Sequence, residues 1–230
     1  SCLVDEAAAA SAVLETSHAA ADSLCFLLYS SGTSGAPKGV THTHRHIIAT
    51  CRLFAAATIG CEEKDIFFST SRLFFAYGFG FGMNFPLWVG TAVLDPRRPT
   101  PETAIEMIGR FRVTIFAAVP SFYASIVAQA NVDTDALSSL RRCISGGEAL
   151  PAELQRRWAI LAPTPILDGV GSTETLNTFI SNRPAAIRDG SSGQLVYGYQ
   201  AKILNSTGEQ ASDGQIGRLW VSGPSVTSEY

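Results

Sequence analysis

Leu24-Cys25-Phe26-Leu27-Leu28-Tyr29 runs straight into Ser30-Ser31-Gly32-Thr33-Ser34-Gly35-Ala36-Pro37-Lys38-Gly39-Val40. The apolar run predicts a short buried strand. It stops at a loop of serines, a threonine and glycines. Glycine lets a backbone curl tightly and bring its N–H groups to a ligand, and successive N–H groups in such a turn form an anion cradle. The hydroxyls add rotatable donors, and Lys38 adds a compact positive charge. Strand plus cradle plus lysine suits a polyphosphate; the competing reading is a flexible surface turn of small residues.

A Walker loop is excluded by residue order. That loop needs Gly-Lys-Ser or Gly-Lys-Thr opening a helix, whereas Lys38 lies between Pro37 and Gly39. After the loop, Thr41-His42-Thr43-His44-Arg45-His46 leads into a helical pattern over 47–58. The alternating histidines raise a metal site. No acidic or cysteine ligand is near in sequence, and a helix start splays the rings apart, so we read them as a polar helix entrance.

Further along, short apolar strands alternate with small-residue turns and helices. Strands are expected at 66–69, 91–94, 113–119, 140–144 and 165–167, and helices at 102–111, 122–130 and 151–161. This alternation predicts an α/β fold with a parallel sheet, whose ligands bind outside the carboxyl ends of the strands. Four turns are expected there: the phosphate loop, the aromatic stretch Leu73 to Gly82, Ser145-Gly146-Gly147-Glu148-Ala149-Leu150-Pro151, and Asp168-Gly169-Val170-Gly171-Ser172-Thr173-Glu174-Thr175. Glycines alternate with rings in the aromatic stretch, which reads as room for a flat apolar ligand beside ordinary core packing.

After about residue 185 the texture becomes short strands and polar turns, such as Asn205-Ser206-Thr207-Gly208. We divide the chain into a lead-in (1–23), an α/β subdomain (24–187) and the start of a β-barrel-like subdomain (188–230). The 230 residues are 46% hydrophobic and 16% charged, which predicts a sizeable core. A net charge of -3 argues against a nucleic-acid surface. No apolar run is long enough for a bilayer. The five cysteines are odd in number and irregularly spaced, which reads as reduced thiols in a cytoplasmic protein. Ser1 in place of Met suggests a chain that begins inside a longer one.

The pattern Tyr-Ser-Ser-Gly-Thr-Ser-Gly-x-Pro-Lys-Gly-Val resembles the phosphate-loop signature of the adenylate-forming superfamily. That group contains acyl- and aryl-CoA ligases, luciferases and peptide-synthetase adenylation domains. The segment 145–151 is similar to the family's adenine-side turn. Asp168 to Glu174 is similar to its Gly-x-Gly-x-Thr-Glu motif, and Leu73 to Gly82 resembles the aryl-pocket segment of benzoate–CoA ligases. The resemblance covers the chain from about Ala21 onward. It implies ATP-dependent conversion of an aromatic carboxylate to an acyl-adenylate, then transfer to coenzyme A. Alternatives are an adenylation domain that loads an aryl acid onto a carrier protein, and a nucleotide-binding module without turnover.

By this resemblance, Ser30, Ser31, Gly32, Thr33, Ser34, Gly35 and Lys38 would hold the β- and γ-phosphates. Thr173 would touch the α-phosphate, and Glu174 would help hold Mg2+. Thr173, Glu174 and Lys38 would be the catalytic set. Gly146, Gly147, Glu148, Ala149, Asp168 and Gly169 would line the adenine. Phe75, Ala76, Tyr77, Gly78, Gly171, Leu176 and Asn177 would form the acyl pocket. From the residues alone, Glu174 also reads as a helix-start carboxylate, Thr173 as a cap and Asp168 as a turn residue. Three departures stand out. Asn177 replaces a histidine of benzoate ligases. Leu195 and Tyr197 replace prolines. The ribose-binding aspartate, the hinge and the C-terminal domain with its catalytic lysine are expected beyond Tyr230. The fragment alone is therefore expected to be inactive. A homodimer is expected for the intact protein, with no nucleic-acid or membrane partner.

Overall fold

The computed structural model describes residues 3–11, 13, 15–30, 36–95 and 97–229. Five strands run parallel in the centre: β3 (Ile66–Ser69), β4 (Thr91–Val93), β5 (Ile115–Ala118), β6 (Arg142–Ser145) and β7 (Ile166–Gly171). Two antiparallel strands, β8 (Thr178–Ser181) and β9 (Gln194–Leu195), complete a seven-stranded sheet of order β4-β3-β5-β6-β7-β8-β9. Each parallel neighbour is reached by a helical crossover, as parallel pairing requires.

Side chains alternate across the strands, so the sheet separates two cores. Phe68, Phe116, Ala118, Cys143 and Ile166 pack with residues of α5 (Pro101–Phe111), α6 (Pro120–Val127) and α7 (Ala152–Leu161). Phe67, Ile115, Ala117, Ile144 and Leu167 face the other way. They meet Phe54 and Ala55 of a π-helical continuation, Cys51–Ala56, of α2 (His44–Thr50), and Phe81 and Phe85 of the aromatic stretch. A strand buried on both faces is apolar throughout, and all four residues of β5 are buried. A short helix, α1 (Leu3–Ala9), lies in the lead-in.

One expectation is overturned. The strand before the phosphate loop, β1 (Leu24–Ser30), is not part of the parallel sheet. Lys38–Thr43 forms β2, antiparallel to β1, with Ser30 opposite Lys38 and Phe26 opposite His42. The loop therefore closes a hairpin rather than joining a strand to a helix. Leu24, Leu27 and Tyr29 are exposed and Leu28 is buried, so β1 packs on one face only. An apolar run cannot distinguish a two-sided from a one-sided strand when its outward positions are also apolar.

β9 hydrogen-bonds to β8 inside the large sheet, whereas β10 (Gln200–Leu204) and β11 (Arg218–Ser222) form a separate antiparallel pair. Cys25, Cys51, Cys61 and Cys143 are free thiols. No helix of the described residues is long and apolar enough to cross a membrane.

Candidate functional site

A cavity of about 390 Å³ opens at the carboxyl ends of the parallel strands. Residues that leave four strands line it: Thr70, Ser71 and Arg72 after β3, Val119 after β5, Gly146 and Gly147 after β6, and Gly171, Ser172 and Thr173 at the end of β7. This is where an α/β sheet binds ligands. Phe75, Ala76 and Tyr77 form the aromatic side, and Gly169, Asn177 and Thr178 close the wall. Gly147 adopts φ +86°, a conformation that favours glycine.

The aromatic side is built on a short helix, α3 (Ala76–Phe79), which passes through a π-helical stretch, Gly80–Asn84, into α4 (Phe85–Val89). Its glycines make room for the chain rather than for the cavity. A Cβ on Gly78 would lie 2.1 Å from the Arg72 carbonyl oxygen, and one on Gly80 2.2 Å from Asn177 Nδ2. One on Gly82 would lie 2.7 Å from a Leu73 methyl. Tyr77 lays its ring across the cavity wall, 4.9 Å from the Phe81 ring, and donates its hydroxyl to the Ile144 carbonyl at 3.0 Å. Asn177 donates Nδ2–H to the Ala76 carbonyl at 3.2 Å, while its Oδ1 accepts from the Thr178 backbone N–H and hydroxyl. The amide thus joins the aromatic segment to β8.

The turn between β7 and β8 is held on every side. Ser172 and Thr175 exchange backbone-to-hydroxyl bonds. Three successive carbonyls are each met from elsewhere in the chain. Thr173 O lies 2.8 Å from His42 Nε2, Glu174 O accepts from Thr227 N at 2.8 Å, and Thr175 O accepts from Ser225 Oγ at 2.6 Å. Leu176 closes the turn at φ +62°, uncommon for a branched residue. Its side chain is buried against Leu28 and Ala76, so packing holds the strained backbone.

Glu174 is half-buried, and its Oε1 accepts the Ser30 hydroxyl at 3.4 Å. The end of the phosphate-loop hairpin and the Thr173-Glu174 turn are therefore adjacent. His42 is fully buried, and its Nδ1 lies 3.0 Å from His46 Nδ1. Burial pushes both imidazoles below their usual range. His44 opens α2, so the three histidines do not share a face.

Of the phosphate-loop residues, Ser31, Gly32, Thr33, Ser34 and Gly35 lie outside the described residues. Ser30 ends β1 and Lys38 starts β2, where its side chain is exposed. Gly146, Gly147, Gly169, Gly171, Phe75, Ala76, Tyr77, Thr173 and Asn177 share the cavity. Five sequence-predicted residues point elsewhere: Glu148, Ala149, Gly78, Leu176 and Asp168. Glu148 accepts the Ser121 N–H and hydroxyl, both at 3.0 Å, capping the first turn of α6. Ala149 is exposed beside it, off the wall. Gly78 packs on the 71–72 backbone, and Leu176 faces the hairpin.

Asp168 alternates to the opposite side of β7 from Gly169. It is buried, accepts Ser145 Oγ at 3.1 Å and Ser192 Oγ at 2.9 Å, and burial raises its carboxyl above the usual range. The expected turn at 168–171 is thus the end of the strand itself. Thr70, Ser71, Arg72, Val119, Ser172 and Thr178 were missed as lining residues. For Thr70 and Ser71 a signal existed: Ser69-Thr70-Ser71 is another small polar run following an apolar strand.

The family described as AMP-binding enzyme matches residues 2–230. A benzoate–CoA ligase of Thauera aromatica is 46% identical over 211 residues, covering 91% of this chain and 40% of that protein. A 4-hydroxybenzoate–CoA/benzoate–CoA ligase of Rhodopseudomonas palustris is 40% identical, covering 91% of this chain and 39% of that protein. The crystal structure of a benzoate CoA ligase from Burkholderia xenovorans superposes with a TM-score of 0.93 at 38% identity, over 99% of this chain and 46% of that one. The chain therefore spans about 40% of the length of the curated relatives it matches. With the phosphate-loop signature, the parallel sheet and the shared cavity, the match establishes that the chain belongs to the AMP-binding, adenylate-forming enzymes.

Proposed function

We propose that the intact protein is an AMP-forming aryl-CoA ligase. The observation that carries this is the shared cavity: the aromatic segment Phe75 to Tyr77 meets the glycines Gly146 and Gly147 and Thr173 around one space. The carboxylate oxygen of the aryl acid attacks the α-phosphorus of ATP, the bond to the β-phosphate breaks, and pyrophosphate leaves. The thiol of coenzyme A then attacks the acyl carbonyl and AMP leaves with its phosphate. Such chemistry depends on positioning and charge stabilisation. The hairpin loop and Lys38 neutralise the leaving pyrophosphate, Thr173 orients the α-phosphate, and the Gly146–Gly147 and Gly169 backbone borders the adenine. Phe75, Ala76, Tyr77 and Asn177 hold the ring.

A magnesium ion suits the donors present. Glu174 is a hard oxygen ligand set half-buried beside Ser30. Among the described residues no group of three or more acidic, histidine or cysteine side chains forms a cage. The remaining ligands would be phosphate oxygens, as is usual for this ion. Bound there, it supplies charge neutralisation on the phosphates.

The test is pyrophosphate release by the intact protein across benzoate, hydroxybenzoates, aminobenzoates and alicyclic acids. AMP and pyrophosphate should form only with an aryl acid. ADP and phosphate as products would overturn the reading. Coenzyme A assayed against a pantetheinylated carrier protein separates the ligase from a carrier-loading domain.

A further inference from the structure

His42 is a fully buried side chain to which the reaction above gives no part. It sits on β2, the strand that leaves the phosphate loop, and reaches across to the turn after β7. A carbonyl oxygen only accepts, so the 2.8 Å contact with Thr173 O requires the proton on His42 Nε2. Neutral imidazole with that proton leaves Nδ1 as an acceptor; His46 Nδ1, 3.0 Å away, must then carry a proton and donate to it, so the longer 3.4 Å approach of the Thr43 N–H to the same nitrogen is not a hydrogen bond in this tautomer. Phe26 of β1 flanks the ring at 5.4 Å and itself contacts Phe79 of α3 at 4.8 Å. The imidazole is thus held by His46 on one edge and by packing on its face, and its remaining N–H is aimed at one backbone oxygen.

We propose that His42 is a positioning residue: its Nε2–H holds the Thr173 carbonyl and thereby fixes the Thr173-Glu174 turn against the hairpin that carries the phosphate loop. This rests on the ligase reading, in which Thr173 and Glu174 face the reacting phosphate. The two phosphate-side walls come from segments 131 residues apart, and among the described residues β1 and β2 pair with each other and not with the large sheet. A side-chain tie between hairpin and turn therefore sets the spacing that the parallel sheet does not. His46 acts one step further out, fixing the imidazole's orientation as outer partners of functional histidines do.

The test uses the intact protein with His42→Leu and His42→Gln. Leucine fills similar space without a donor, whereas the glutamine amide can present an N–H where Nε2 stood. A misplacement near 1 Å costs on the order of a hundredfold in rate. The leucine variant should accordingly lose about tenfold to a hundredfold in kcat for pyrophosphate release. The KM for the aryl acid should stay within about threefold, because the acyl wall is untouched. The glutamine variant should recover most of the rate. Wild-type kcat in His42→Leu, or equal losses in both variants, would overturn the proposal. A second measurement needs no variant and no turnover. In the histidine-labelled wild-type protein, ring nitrogen NMR should place the His42 proton on Nε2, and a proton on Nδ1 alone sinks the proposal even if His42→Leu does not fold. If no aryl acid yields AMP and pyrophosphate in the wild type, the ligase reading fails instead, and the NMR result still judges the contact.

Discussion

Gly78→Ala separates two uses of glycine in the aromatic stretch. If glycine makes room for the ligand, an added methyl narrows the acyl space and leaves the fold alone. The structure assigns the room to the chain: the new Cβ would lie 2.1 Å from the Arg72 carbonyl oxygen and 2.7 Å from the Ser71 carbonyl oxygen. Both are backbone atoms and neither can rotate away. Contacts below 3.0 Å are not tolerated by a Cβ, so α3 and the 71–72 segment must part by about 1 Å. Overpacking of this kind costs about 1–3 kcal/mol. Alanine returns about 0.5–1 kcal/mol of helix preference over glycine, leaving a net loss of about 0–2.5 kcal/mol, centred a little above 1 kcal/mol. Ser71, Arg72, Ala76 and Tyr77 all line the cavity, so the shift moves two of its walls apart. A 1 Å misplacement costs up to about a hundredfold, and kcat/KM for the aryl acid should fall tenfold or more. The assay is pyrophosphate release at saturating ATP with the acid varied, paired with urea unfolding. Gly82→Ala is the comparison, because its Cβ would meet only the tip of Leu73 at 2.7 Å, which can rotate aside. Gly78→Ala must be clearly the worse in both measurements. Equal effects, or a Gly78→Ala protein with wild-type midpoint and kcat/KM, refute the packing account.

Three further outcomes are expected. Glu174→Gln should leave the unfolding free energy within about 0.5 kcal/mol of wild type, as for a partly exposed side chain, while raising the magnesium concentration for half-maximal adenylation by roughly tenfold, about 1.4 kcal/mol. An unchanged magnesium titration removes Glu174 from the metal assignment. Leu176→Ala should cost about 2–5 kcal/mol, the range for a buried leucine, and should speed proteolysis in the 24–43 hairpin before that in the sheet; uniform protection would show that Leu176 does not anchor the hairpin. Stability should also fall at alkaline pH. Burial raises the Cys51 thiol from 9.0 to about 12 and also pushes Cys61 and Cys143 well up. Between pH 9 and 12 the unfolded chain loses these protons and the native chain keeps them. The unfolded state then binds fewer protons, so stability is full below pH 9 and falls above it by about 1.4 kcal/mol per pH unit per thiol. A urea midpoint at pH 10 equal to that at pH 8 contradicts this.

Much of the protein is legible without coordinates because its signals are local. Short apolar runs followed by glycine and hydroxyl residues mark strands and their carboxyl ends, and the helices expected from 102 and 151 start within one residue of those observed, whereas the one expected from 122 already begins at Pro120. The strand-end rule then gathers Phe75 to Tyr77, Gly146, Gly147, Gly171 and Thr173 to one place, and the cavity lies there. Local pattern does not say which neighbour a strand acquires. The run after the phosphate loop pairs back on β1, and Phe26 and Leu28 of that strand pack with Ala76 and Phe79 of the aromatic stretch and with Leu176, a partner more than a hundred residues away.

The sequence by itself determined the α/β class, the adenylate-forming signature and the strand ends that meet at the site. Only the tertiary structure decided which residues of those motifs face the cavity. Asp168 and Gly169 are adjacent, yet pleating sends one to Ser145 and Ser192 and the other to the cavity wall. Glu148 is taken by α6, Leu176 by the hairpin and Gly78 by the Arg72 carbonyl. The physical reason is that a side chain's direction and a glycine's purpose depend on backbone register and on segments that approach from far along the chain, and neither quantity is contained in local composition.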